Sequence, residues 1–343
     1  MSHDFVPVQW NRHKYFYDGI LVVSIMVFLA SFILAGLNAK VADPSILIMR
    51  ALGACAIVLL HVILAIGPLA RLSDRFKPLL YNRRHFGVIT AVIGLLHGGF
   101  ALMWYHGFGT INPIASAIGG YGNYGVAIEF PFESLGFIAL VILLIMAATS
   151  HDFWLTRLTP PIWKILHMGV YVAYAALVGH VALGTAQFDK GSGLLIALAV
   201  GAGLLTVLHI AGILKGRGLD ANSIEKSDWI NAGDALLIPL NKAVTVTPKS
   251  GERIAIFRQE KGVSAIVAVC SHQNGPLGEG CIKDGLITCP WHGFQFDPET
   301  GAAPPPFTDR VQTHKVIIEK GHVWVKAQPD PLGTVRKAVQ VTS

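Results

Sequence analysis

Six apolar runs separated by polar stretches fill the first 214 residues: Gly19–Leu37, Ile46–Ala70, Phe86–Tyr105, Leu135–Thr149, Ile162–Leu183 and Gly193–Leu214. A membrane-spanning helix needs about 20 apolar residues in a row. The fourth run is short as drawn and meets that need only if it begins nearer Phe130. The segment KGRGLDANSIEKSDW that follows is polar and contains glycine, which reads as a linker. Beyond Trp229 the period changes to short β-rich runs, ALLIPL, KAVTVT, RIAIF, SAIVAV, GLITC, FQFD, HKVIIE and HVWVKA, divided by Gly, Pro, Asn and Asp. That pattern predicts a small antiparallel β domain. The expected fold is therefore multidomain: an all-α six-helix transmembrane bundle (19–214) followed by a small all-β domain (229–328). An N-terminal arm (1–18), a linker (215–228) and a tail (329–343) complete it.

Charge sharpens this division. Charged residues make up 14% of the chain and hydrophobic ones 52%, against about 25% charged in a soluble globular protein. Up to Leu214 there are 12 Lys/Arg and 8 Asp/Glu, and the much shorter remainder has 15 and 13. The net charge of +6 is spread beside apolar segments rather than gathered in one patch, which argues against nucleic-acid binding. The first apolar run is full length and no A-x-A site follows it, so no cleavable signal peptide is expected. Arg12, Lys14, Arg71, Arg75, Lys77, Arg83, Arg84, Arg157, Lys164, Lys215 and Arg217 fall on one side of the runs. Lys40, Arg50 and Lys190 fall on the other. The positive-inside rule then places both termini, and the β domain, on the cytoplasmic side of the membrane.

Five histidines lie inside the apolar runs: His61, His97, His167, His180 and His209. Each could hydrogen-bond a neighbouring helix, but ionisable groups in spanning helices are rare and usually functional. Neutral imidazole is a good axial ligand, so haem b held by two histidines is the sharper reading. His167 and His180 are 13 residues apart, about 20 Å along one helix, although that spacing does not return to the same face. The stretches NRRHFGVITAVIGLLHGGFAL and WKILHMGVYVAYAALVGH, with MRALG and GPLARL on the second run, resemble the ferric reductase-like transmembrane domain. They are similar to the haem-bearing membrane subunit of bacterial methionine sulfoxide reductase systems. The resemblance, over about Ile46–Leu214, implies that His97 and His180 ligate one haem nearer the periplasm and that His167 belongs to a second. Two-haem relatives have another histidine 14 residues before His97, where this chain has Arg83. The partner of His167 is then His61, His85 or His209, and the cofactor count is one or two haems b. Arg50, Arg83 and Arg84 are either propionate partners or interfacial anchors.

Of the four cysteines, Cys55 sits in an apolar run, whereas Cys270, Cys281 and Cys289 fall within 20 residues. Cys270-x-His272 and Cys289-x-x-His292 are separated by 16 residues. This gives two thiolates and two imidazoles, the ligand set of a [2Fe–2S] cluster with histidines on one iron. A zinc finger would favour paired cysteines followed by paired histidines. CxH-x16-CPxHG, with TGAAPPPF as a third loop, resembles the Rieske domain over about Trp229–Lys326. Cys281 is outside the motif. The resemblance implies that the extra cysteines of cytochrome bc-type Rieske domains are replaced by Gly275 and Trp291, so no disulfide forms. Phe294 and Phe296 stand where high-potential relatives carry hydroxyls, and a potential at the low end is expected.

Together these features imply a membrane electron conduit. A cytoplasmic donor would deliver electrons through the Rieske cluster and haem b to a periplasmic acceptor protein or quinone. Two rivals are a quinol-linked redox subunit and a redox sensor or assembly factor without net transfer. No GxGxxG follows a strand, and no length remains for a flavin or NAD domain.

Overall fold

The computed structural model describes residues 12–39, 43–80, 82–119, 124–126, 129–150, 154, 158, 160–188, 193–220, 225–226, 228–248, 252–272, 275–290 and 293–341. Among the described residues, seven α-helices come first: α1 (Arg12–Asn38), α2 (Pro44–Leu72), α3 (Arg83–His106), α4 (Pro113–Gly119), α5 (Glu133–Ala148), α6 (Pro160–Phe188) and α7 (Gly193–Asp220). Five are long and apolar enough to cross a membrane, through Lys14–Asn38, Pro44–Leu72, Arg83–His106, Ile165–Gln187 and Gly193–Lys215. The sixth expected span is not among them. Helix α5 has 16 residues, about 24 Å at 1.5 Å per residue, short of the roughly 30 Å hydrocarbon layer. It starts at Glu133 because Pro131 and Phe132 form the entering turn, whose carbonyls accept from the N–H groups of Ser134, Leu135 and Gly136. It ends where the hydroxyls of Thr149 and Ser150 turn back onto the carbonyls of Ile145 and Met146, both at 2.7 Å.

The helices expose apolar side chains such as Val23, Leu34, Ile165, Leu204 and Val207, as expected where lipid rather than water is the solvent. Helix α5 packs between α3 and α6. Without a hydrophobic drive between helices, close backbone approach has to supply the packing. Glycine allows it here: a Cβ at Gly98 would stand 2.9 Å from Leu140.

Eleven strands follow: β1 (Glu225–Lys226), β2 (Trp229–Asp234), β3 (Ala243–Val246), β4 (Ile254–Gln259), β5 (Gly262–Val267), β6 (Cys281–Lys283), β7 (Leu286–Thr288), β8 (Gln295–Phe296), β9 (Thr313–His314), β10 (Val316–Glu319) and β11 (His322–Lys326). They form three antiparallel sheets, in the orders β1-β2-β11-β10, β3-β4-β5-β9 and β6-β7-β8. Lys283 pairs with Leu286 across a two-residue turn, Asp284-Gly285, with both φ angles positive (52° and 80°). That is the geometry an Asp-Gly dipeptide favours in hairpins.

Two apolar cores lie among the sheets. Ile230, Ile254, Ile256, Val323 and Val325 build one. The other contains Phe257, Ile266, Leu277, Ile287, Phe294 and Phe296 together with Cys270 and Cys289. The C-terminal tail is tied to this body. Val263 and Val339 exchange backbone hydrogen bonds, Thr313 Oγ1 donates to Thr334 O, and Arg336 clasps Asp330 through two 2.7 Å bonds. His314 is buried beside it, with Nδ1–H donating to the Lys326 carbonyl (2.9 Å).

Candidate functional site

Two loops of the β domain carry the sequence-predicted cluster ligands. The first leaves β5, and its Cys270 N–H donates to Gly275 O (2.9 Å) while Leu277 N–H donates to Ala268 O (2.7 Å). The second leaves β7. Cys289 N–H donates to Phe294 O (2.8 Å) and Gly293 N–H returns to Cys289 O (2.9 Å). This tight return needs φ +67° at Gly293, a conformation that a side chain disfavours. Cys270 and Cys289 are thereby brought into one buried core at 1% and 2% exposure. The His272 ring stacks on Phe294 at 4.8 Å and 13°, and Phe307 of the third loop meets Phe294 at 5.0 Å. Gly301 opens that loop at φ +65°, where a Cβ would collide with Val311 O. Two buried thiols and an imidazole held on an aromatic platform suit the thiolate and histidine donors of a [2Fe–2S] cluster. His292 and Trp291 lie outside the described residues. Cys281 sits on β6, half-buried.

In the helical unit the structure brings His97 of α3 and His180 of α6 face to edge, with ring centres 6.3 Å apart and planes at 79°. His97 Nδ1–H donates to Met49 O (3.0 Å) and His180 Nδ1–H to Phe132 O (2.9 Å). A carbonyl can only accept, so the proton is on Nδ1 in both rings and Nε2 keeps its lone pair for a metal. With Nε2 unprotonated on both rings and the ring centres 6.3 Å apart, the pair has the donor chemistry that a haem iron would take from two histidines. Each ring rests on a glycine: a Cβ at Gly53 would be 2.8 Å from His97 Cε1, and one at Gly136 2.8 Å from His180 Nδ1.

The other histidines have different surroundings. His167 donates from Nδ1 to Trp163 O (3.0 Å), stacks on the Trp163 ring at 3.8 Å, and has Ser150 Oγ 3.3 Å from Nε2. His61 donates from Nδ1 to Ile57 O (2.8 Å), so Nε2 accepts the Tyr174 hydroxyl (3.0 Å). His209 and Tyr171 repeat that arrangement, at 2.9 Å to Leu205 O and 3.2 Å from the hydroxyl. His85 pairs with Asp18 at 2.9 Å, and Arg84 donates to Ser150 O (2.7 Å). Sequence reasoning missed Tyr171, Tyr174, Gly53 and Gly136. A tyrosine inside an apolar run was the one available signal, since a buried hydroxyl needs a partner.

A family model described as "Rieske [2Fe-2S] domain" matches residues 228–315, and one described as "Ferric reductase like transmembrane component" matches residues 51–178. "Cholesterol 7-desaturase nvd 1" of Ciona intestinalis is 27% identical over 144 residues, 40% of this chain and 28% of that protein. The chain thus spans little more than a quarter of that relative's length. The "Protein-methionine-sulfoxide reductase heme-binding subunit MsrQ" of Bordetella parapertussis is 30% identical over 152 residues, covering 44% of this chain and 68% of the subunit. The "Anthranilate 1,2-dioxygenase ferredoxin subunit" of Burkholderia cepacia is 37% identical over 73 residues, covering 21% of this chain and 68% of the subunit. The Rieske domain brings a [2Fe–2S] cluster and the ferric reductase-like domain brings haem b, so the chain is a membrane-embedded redox protein. It belongs to the ferric reductase-like transmembrane family, together with the haem-binding MsrQ subunits, and joins that domain to a C-terminal Rieske [2Fe–2S] domain.

Proposed function

We propose that the chain passes electrons across the bacterial inner membrane. They enter from a cytoplasmic donor at a Rieske cluster held by Cys270, His272, Cys289 and His292, and leave through haem b toward an acceptor at the periplasmic face. The observation that carries this reading is the His97–His180 pair, whose rings stand 6.3 Å apart with both Nδ1 atoms tied to carbonyls. His167 belongs to a second haem whose other ligand is His61, His85 or His209; for His61 to serve, the Tyr174 hydroxyl has to leave its Nε2. Six spans put both termini in the cytoplasm. The turns flanking α5 support the sixth, because hydrogen-bonded backbone runs from Pro131 to Ser150, 20 residues or about 30 Å. The domain limits are 19–214 for the membrane part and 229–328 for the Rieske part, with residues 1–18, 215–228 and 329–343 as arm, linker and tail.

Both cofactors are one-electron carriers, and the protein orients them and excludes water. Stopped-flow reduction in inside-out vesicles, with a membrane-impermeant reductant on the cytoplasmic face, tests the order. Cys289→Ser should abolish the Rieske paramagnetic resonance signal, retain haem absorbance and slow haem reduction. Haem reduction as fast in this variant as in the parent would reject the conduit and favour a sensor.

A further inference from the structure

Ser271 stands between Cys270 and His272, and its hydroxyl oxygen is buried with no hydrogen-bond partner. A buried hydroxyl left without an acceptor is costly, and native structures rarely tolerate one. The loop's backbone bonds run past it, from Cys270 N–H to Gly275 O and from Leu277 N–H to Ala268 O, and no described carbonyl accepts from the hydroxyl. Among the described residues, the core cluster that holds the two cysteines is built from carbon side chains such as Leu277, Ile287, Phe294, Phe296 and Val311. Sulfur is the acceptor chemistry that the adjacent ligand positions would bring. Phe294 and Phe296 cannot donate to it.

We propose that Ser271 Oγ–H donates a hydrogen bond to a sulfur of the cluster, either a sulfide or the Cys270 thiolate, and raises the cluster's reduction potential. The proposal rests on the cluster assignment made above. One-electron reduction adds a negative charge that spreads over the sulfurs, so a donor aimed at one of them stabilises the reduced form more than the oxidised form. The proton stays on Ser271 in both states. Ser271 is thus a positioning and tuning residue that replaces, on the first loop, the hydroxyls lacking at Phe294 and Phe296.

The test compares Ser271→Ala, Ser271→Val and Ser271→Thr in the full-length protein by resonance-monitored redox titration. Serine and threonine carry the hydroxyl, whereas alanine and valine do not. The two hydroxyl-free variants should retain the cluster signal and shift the reduction equilibrium about tenfold toward the oxidised form, about 59 mV for a one-electron couple. Ser271→Thr should stay near the parent. Potentials that follow side-chain volume, or that do not change, would overturn the proposal while leaving the cluster assignment intact. A parent protein without a Rieske signal would instead overturn the assignment. Proton ENDOR of the reduced parent cluster in H2O and D2O guards against variants that fail to assemble. An exchangeable coupling of hydroxyl type supports the bond, and a cluster without one refutes it whatever the variants do.

Discussion

Replacing Gly136 by alanine places a methyl group against His180, the proposed haem ligand. The new Cβ would stand 2.8 Å from His180 Nδ1, 2.9 Å from Cε1 and 3.3 Å from Cγ. Ordinary carbon contacts begin at about 3.4 Å, so ring or helix must yield roughly 0.6 Å. The ring cannot yield freely, because its Nδ1–H is held 2.9 Å from Phe132 O and it also packs on the Phe132 ring, centre to centre 5.2 Å. Overpacking of this kind costs about 1–3 kcal/mol, and the helix gains about 1 kcal/mol from losing a glycine. A net cost of up to about 2 kcal/mol falls on ligation, which corresponds to as much as roughly 30-fold weaker haem retention. Haem loss to excess apomyoglobin, followed in detergent by absorbance, measures it. Gly53→Ala presses on His97 from the opposite helix, with Cε1 at 2.8 Å, and should release the same haem. Gly99→Ala, two residues from His97 with nothing within 4 Å of its new Cβ, is the silent control. Gly136→Ala losing haem no faster than Gly99→Ala would refute the placement of His180 on iron.

His97→Ala and His180→Ala should each remove one and the same haem and His167→Ala a different one, and redox titrations alike for all three variants would sink the two-haem assignment. The 79° between the His97 and His180 planes should give the oxidised haem a strongly anisotropic low-spin resonance, and a signal typical of parallel imidazoles would contradict that geometry. Phe294→Ser with Phe296→Tyr should raise the cluster potential on the order of 100 mV, at a stability cost of about 3–5 kcal/mol because Phe294 is buried among aromatic rings. An intact cluster with an unchanged potential would rule out missing hydroxyls as its tuning device. Burial is the main cause that holds the His314 imidazole below its ordinary value, against the Lys326 carbonyl and Asp330. The unfolded chain then takes up the proton more readily, so stability is complete above about pH 6.5 and falls as pH drops below it. Thermal loss of the cluster signal between roughly pH 7.5 and 5.5 should show this slope flattened in His314→Gln, and equal slopes would exclude His314 as its source.

The Rieske domain was legible because its signature is local: the Cys270-x-His272 and Cys289-x-x-His292 spacings stand in the sequence itself, and Gly293 makes the turn that follows the second. The spanning helices were legible from length and apolarity, except at α5, whose limits depend on the Pro131–Phe132 turn rather than on hydropathy. The orientation of the histidines was not legible. Met49 O and Phe132 O are backbone atoms on other segments, each 48 residues from the ring it holds, and any side chain could precede such a carbonyl. The Tyr174–His61 contact, 113 residues apart in the chain, is likewise set by helix packing alone.

Helix α6 is tied to the segments around it by polar contacts that leave Nε2 of His167 and His180 untouched: Trp163 Nε1–H to Thr149 O, Tyr171 to His209 of α7, His180 Nδ1–H to Phe132 O and the Gln187 amide to Phe130 O. Rotation of α6 about its axis would break these contacts together. A ring pinned at Nδ1 to a backbone carbonyl, on a helix that cannot turn, shifts little when the charge beside it changes by one unit. The nuclear rearrangement that accompanies each electron is then small, so a modest difference in potential between carriers is enough for rapid transfer, and side-chain substitutions at Met49 or Phe132 leave the carbonyls that hold the ligands in place.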